Sequence, residues 1–226
     1  MDGTSAYRLA VVGLLLLAGA GACRFESPGR EEASRRAEET GFRGRVIENP
    51  GPRPDFVLDA ARGGTFDFRE ETDGRLALLF FGYTHCPDVC PIHMSSIAEV
   101  KRDLGLEFGR NAKVIFVTVD PARDTPERLV SWLGGFDPEF IGLYGAPAKI
   151  DSIQLALGLP PAMVPGRMEA GEDARAAPPA DYDVGHASAV VAFPPGDSIR
   201  VMFPFGTRQA DWRHDLEILA TLGGSE

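Results

Sequence analysis

Lysine is nearly missing from this chain: Lys101, Lys113 and Lys149 are the only three in 226 residues. The arginines are scattered and the formal net charge is −10. Without a basic patch to neutralise phosphates, nucleic acid is excluded as a partner. Long apolar runs are also wanting. The N-terminal stretch Leu9–Ala22 is uncharged, but it falls short of the roughly 20 residues that span a bilayer core. Cysteine is equally scarce, with three residues, Cys23, Cys86 and Cys90. That excludes a disulfide-rich scaffold and any four-thiolate metal site. What is present is ordinary for a globular protein with one core: 44% hydrophobic and 25% charged residues.

The start reads as an export signal. Arg8 precedes the apolar run, small residues close it, and Cys23 follows directly. Small residues before a cysteine resemble a bacterial lipobox, in which that cysteine is lipidated and becomes the mature N-terminus. Ala20 stands where a leucine is usual, and Ala20-Gly21-Ala22 equally fits simple cleavage. Residues 1–22 are therefore expected to be a signal peptide. Residues 23–45, rich in Glu and Arg and poor in large apolar residues, would form a lipidated N-terminus and flexible tether. Residues 46–226 would form the domain. Each reading places that domain outside the cytoplasm, in the periplasm or on the outer face of a bacterial membrane. Disulfides can persist there, and setting Cys23 aside leaves one pair of thiols.

Strands and helices alternate along the domain. Phe56–Leu58 and Thr65–Phe68, parted by Gly63-Gly64, suggest an N-terminal hairpin. Leu76–Phe81 and Val114–Val119 are apolar runs of the kind buried on both faces of a sheet. Met94, Ile97, Val100 and Leu104 repeat at helical spacing after the cysteines. Asp124-Thr-Pro-Glu127 has capping-box spacing, so a helix should follow to about Leu133, capped by Asp124. A short strand near Phe140–Leu143, a helix over Pro147–Leu157, a hairpin of Ala187–Phe193 with Ser198–Phe203 and a helix over Gln209–Leu222 complete the chain. This order predicts an α/β fold with a central mixed β-sheet flanked by helices. Residues 160–183 interrupt it as a long Pro- and Ala-rich loop insertion before the last β-hairpin.

Cys86 and Cys90 lie where a buried strand hands over to a helix, the edge at which open α/β sheets place their sites. Unpaired N–H groups and the positive end of the helix favour thiolate there. Cys90, next to Pro91, is the expected beneficiary. Three uses are open to the pair. A static staple would close a loop of only a few residues and constrain the chain little. A redox couple is compatible, although the usual signature has two intervening residues rather than three. A soft-metal clamp is the third, and two thiolates plus an imidazole suit copper.

Phe81-Gly-Tyr-Thr-His-Cys-Pro-Asp-Val-Cys-Pro91 resembles the metal-binding motif of the Sco/SenC family of membrane-anchored copper chaperones. Val117-Thr-Val-Asp-Pro-Ala-Arg-Asp-Thr-Pro-Glu127 and Asp181-Tyr-Asp-Val-Gly-His-Ala-Ser188 resemble its second and third signatures. The resemblance implies a thioredoxin-like fold that holds one copper, as Cu(I) or Cu(II), through Cys86, Cys90 and His186. It further implies delivery to the copper-accepting subunit of cytochrome c oxidase, with an upstream copper donor or thiol reductase and a membrane lipid anchor at Cys23. Asp120 is a candidate for acting on the ligands through their neighbours. The family usually has Asp before the histidine and Ser after it. Here Gly185 and Ala187 stand there, which puts the orientation of His186 in question.

The remaining residues have plainer expected roles. His85 would point away, His93 would be a solvated helix residue or a further zinc ligand, and His214 would be at the surface. Arg123 and Asp124 would pair or cap locally, and Tyr83 and Tyr182 would close the site sterically. The rival function is a thiol–disulfide oxidoreductase that uses Cys86 and Cys90 as a catalytic redox pair and does not need His186. A thiol peroxidase on the same fold leaves His186 unexplained.

Overall fold

The computed structural model describes residues 39–47, 50–165, 182–196 and 199–222. The signal run, Cys23, most of the tether and the middle of the long loop lie outside these residues. Eight strands form one sheet: β1 (Arg45–Ile47), β2 (Val57–Ala60), β3 (Thr65–Asp67), β4 (Leu76–Gly82), β5 (Ala112–Thr118), β6 (Ile141–Tyr144), β7 (Ala189–Phe193) and β8 (Arg200–Pro204). Their order across the sheet is β1-β8-β7-β4-β5-β6-β2-β3. Strands β4, β5 and β6 are parallel, and the other pairings are antiparallel. The helices are α1 (Phe68–Thr72), α2 (Val89–Asn111), α3 (Pro126–Gly134), α4 (Pro147–Ala156) and α5 (Gln209–Thr221).

The central pair is where the apolar runs place it. Every residue of β4 is buried, as is every residue of β5 except Lys113. Hydrogen-bonded neighbours take up their backbone polar groups, so the strands can lose water on both faces. The unit β4-α2-β5 followed by β7-β8-α5 is the expected thioredoxin-like arrangement. Helix α2 turns Met94, Ile97 and Val100 into the core. It breaks at Gly105, whose φ of +79° suits a residue without Cβ.

Two elements were not anticipated. Phe68–Thr72 is a short helix rather than the end of a strand; Asp67 caps it by accepting the N–H of Glu70. At the N-terminus, β1 pairs with β8, and Phe42 ahead of it is buried. The Asp215 carboxylate, also buried, accepts the N–H groups of Arg43 and Gly44 at 2.6–3.0 Å. The folded unit thus begins before the expected boundary at residue 46. Register fixes the geometry of entry: Arg45 pairs with Met202, Met202 with Val191 and Val191 with Leu79. The chain therefore comes into the sheet from the side toward which β4 runs, which is also the side of the cysteines, and joins it level with the middle of β4. Among the described residues no helix is long and apolar enough to cross a membrane.

Candidate metal centre

Strand β4 stops at Gly82, and Tyr83 to Asp88 make the turn into α2. The Cys86 N–H bonds the Tyr83 carbonyl at 3.2 Å, so the turn folds back and brings the Cys86 sulfur in front of the helix. There it accepts the Cys90 N–H at 3.5 Å. Cys90 lies inside the first turn and points inward, fully buried, while Cys86 is partly exposed. The space for the inner sulfur exists because residue 82 is glycine: a Cβ there would come within 2.8 Å of Cys90 Sγ.

This corrects which thiol the helix activates. The Cys86 thiol is held down to about 3, chiefly by the hydrogen bond it accepts from Cys90. Burial opposes that effect, while the backbone of Cys90 and Asp88 adds to it. Cys90 is pushed up, first by burial and then by its role as donor to Cys86. The helix end does favour thiolate, but its N–H groups face the sulfur that precedes the helix. The pair behaves as one proton shared by two sulfurs, with the charge on the outer one.

His186 approaches just ahead of β7. Its Nε2 lies 3.6 Å from Cys90 Sγ. Its Nδ1 lies 3.1 Å from the Ala187 carbonyl, which can only accept, so Nδ1 carries the proton and Nε2 keeps its lone pair toward the sulfurs. The ring meets Phe80 and Tyr83 edge-on, with centroids 5.8 and 5.6 Å away. A backbone carbonyl and two aromatic rings thereby supply the orientation that the absent Asp at position 185 put in question. Cys86, Cys90 and His186 each offer one atom, and the three atoms lie within 4.8 Å of one another. A sulfur at about 2.3 Å and a nitrogen at about 2.0 Å from one ion subtend about 3.5–3.8 Å at 110–120°. The 3.6 Å separation matches two ligands of a single metal.

The surrounding residues hold the two halves of the cluster. Asp120 is buried; it accepts the Tyr182 hydroxyl and the Arg123 Nε–H, both at 2.5 Å. The Arg123 guanidinium also lies 3.5 Å over the Tyr182 ring. Asp120 thereby anchors the segment that leads to His186. Burial, then the bond to Asp120, pushes the Tyr182 hydroxyl up to about 12, which keeps it a donor. Tyr83 accepts the Val184 N–H at 3.4 Å, a second tie on the same segment.

Asp124 was read as a cap, but Thr125 caps α3 by accepting the Arg128 N–H. The buried Asp124 carboxylate instead accepts the Thr84 N–H (2.9 Å) and the hydroxyls of Thr84 and Thr118 (both 2.6 Å). Arg128 Nε donates to the same Thr84 hydroxyl. The turn that carries Cys86 is thus gripped from the end of β5. Pro126 at the first helical position was the available signal, because it makes Thr125 the capping residue.

The other histidines stay out of the cluster. His85 is half exposed, with Nδ1 3.4 Å from Asp124, and His214 is half exposed beside Asp215. His93 corrects the reading of a solvated residue: it is buried, and its ring faces Phe80, Phe205 and Trp212. A cleft of about 410 Å³ lined by Arg53, Asp67, Arg69 and Glu70, among others, belongs to the opposite edge of the sheet.

Comparison with known proteins agrees with this geometry. A Stutzerimonas stutzeri protein whose name proposes copper binding is 35% identical over 131 residues, 58% of this chain and 59% of its own length. The chain spans about half the length of the curated relatives it matches. Copper-bound ScoI of Bradyrhizobium japonicum superposes with a TM-score of 0.61 at 29% identity, covering 75% of this chain and 99% of its own. Apo Sco1 of Thermus thermophilus gives 0.64 at 28% identity, covering 79% and 96%. With residues 47–221 matching one family's model, the chain belongs to the SCO1/SenC family.

Proposed function

We propose that the protein is an extracytoplasmic copper carrier, held at the membrane by a lipid on Cys23, that loads or prepares the dinuclear copper centre of cytochrome c oxidase. The convergence of Cys86 Sγ, Cys90 Sγ and His186 Nε2 within 4.8 Å carries this reading. Two thiolates make the site soft enough for Cu(I), and the imidazole lone pair supplies the third bond. Because Cys86 lies partly at the surface, ligands of an acceptor can displace the protein's own one at a time. Handover by exchange needs no enclosing cavity. Copper titration of the reduced protein tests the reading. His186→Ala is expected to weaken Cu(I) binding about 10- to 100-fold, since the two sulfurs alone still hold the ion. Binding as tight as the parent's would defeat the three-ligand site.

Acidification should weaken binding with a defined slope. Cys86 is already a thiolate above about pH 3, while Cys90 keeps its proton until the metal displaces it. One proton is then released per copper, and affinity should fall about tenfold per unit from pH 9 to pH 7. A two-proton slope would contradict the assignment of the charge to Cys86.

The division of labour between the sulfurs also favours a second reading, a thiol–disulfide oxidoreductase. An exposed thiolate at Cys86 can attack a disulfide, and the sheltered Cys90 can resolve the mixed disulfide. The two activities separate at one residue. His186→Ala should spare the rate of thiol–disulfide exchange within about threefold while copper binding drops.

A further inference from the structure

We propose that His93 is a positioning residue that sets the spacing between Cys90 and His186, an inference that rests on the copper reading and deepens it. Cys90 and His93 are three residues apart on α2, so they share a face. His186 and Ser188 lead into β7 two residues apart. The same two segments are therefore joined twice. The outer rung is Cys90 Sγ to His186 Nε2 at 3.6 Å. The inner rung, one helical turn deeper, is His93 Nε2 to the Ser188 carbonyl at 3.3 Å. A carbonyl only accepts, so His93 donates from Nε2, whatever the state of its other nitrogen.

Three observations make the inner rung more than a passing contact. The Ser188 carbonyl also accepts the Phe205 N–H at 2.9 Å, so its position is already fixed by β8. The His93 ring is buried and held between Phe80 and Trp212, at 5.1 and 6.1 Å between centroids. Phe80 in turn lies against both imidazoles, 5.8 Å from that of His186. His93 stays outside the set of atoms that could hold a metal. It acts through the distance it imposes: a donor removed here frees the helix and the histidine segment to part, and the outer rung widens beyond the span of one ion.

The test uses the reduced protein with Cu(I) buffered by a competing chelator. His93→Phe keeps an aromatic ring but cannot donate, and is expected to lower affinity about 10- to 100-fold, the range found for orienting partners of metal ligands. His93→Gln retains an Nε2 donor and should stay within about threefold of the parent. In a His186→Ala background, where the outer rung is gone, His93→Phe should have no further effect beyond about threefold. A general packing defect would give the same loss in both backgrounds and would overturn the proposal. So would parent-like affinity in His93→Phe. Should that variant fail to fold by circular dichroism, His93→Leu replaces it with the same expectations. A parent protein that takes up no copper refutes the copper reading and the clamp together; a copper-binding parent matched by His93→Phe refutes the clamp alone.

Discussion

Cys86→Ser is expected to lower Cu(I) affinity at least about a hundredfold while leaving the metal-free fold intact. Structural zinc sites draw about 10–16 kcal/mol from four ligands, or about 3 kcal/mol each. At 1.4 kcal/mol per factor of ten, one lost ligand is worth about two orders of magnitude. The loss at Cys86 should reach that level because its sulfur is the charged one, stabilised by Cys90 and the start of α2. Serine offers a hard oxygen that stays protonated at neutral pH. The stability that the lowered thiol lends the fold above its unfolded-state value should be lost, while the structure itself persists because the side chain is partly exposed. Competition against a chelator of known Cu(I) affinity, beside a urea melt of the apo protein, measures both. Affinity within threefold of the parent would remove Cys86 from the ligand set.

Asp124→Ala should have the largest effect on folding, costing about 3–4 kcal/mol. Its carboxylate is buried and accepts one N–H and two hydroxyls. Orphaning the Thr84 N–H costs about 1–3 kcal/mol, and each charge-assisted bond lost adds about as much. The relief of the desolvated carboxylate returns part of the sum. Asp124→Asn should fall between, because its amide turns an NH2 toward groups that themselves donate. Urea midpoints of the two variants give the comparison. A loss under 1 kcal/mol in Asp124→Ala would show that the turn holds its shape without this grip.

Much of this organisation was legible in the sequence. The runs at Leu76–Phe81 and Val114–Val119 announced the central strands, and the apolar period after Cys90 announced α2 and the face it buries. The metal cluster was legible only through motif resemblance, since nothing in spacing alone brings residue 186 to residue 90. Other features depend on partners distant in the chain. Residues 45–47 show no alternation long enough to read; β8 makes them a strand. His93 sits beside the apolar stripe of α2, and it is buried because the turn after β8 and helix α5 cover that flank with Phe205 and Trp212. Asp124 and Thr125 are both good caps, and the choice between them is settled by Pro126 and by Thr84 forty residues away. The assignment of charge to Cys86 required the direction in which each sulfur points, which the fold alone determines.

The entry of β1 from the cysteine side bears on how the domain would hang from a membrane. If Cys23 is lipidated, the chain reaches the domain from the side on which the sulfurs lie. Because Phe42 is already buried in the fold, at most the 19 residues from 23 to 41 separate Cys23 from it, about 65 Å when fully stretched. Within that radius the cluster would stay close to the bilayer surface. Tied at the opposite end of the strands, the same stretch of chain would have left the length of β4 between the sulfurs and the membrane.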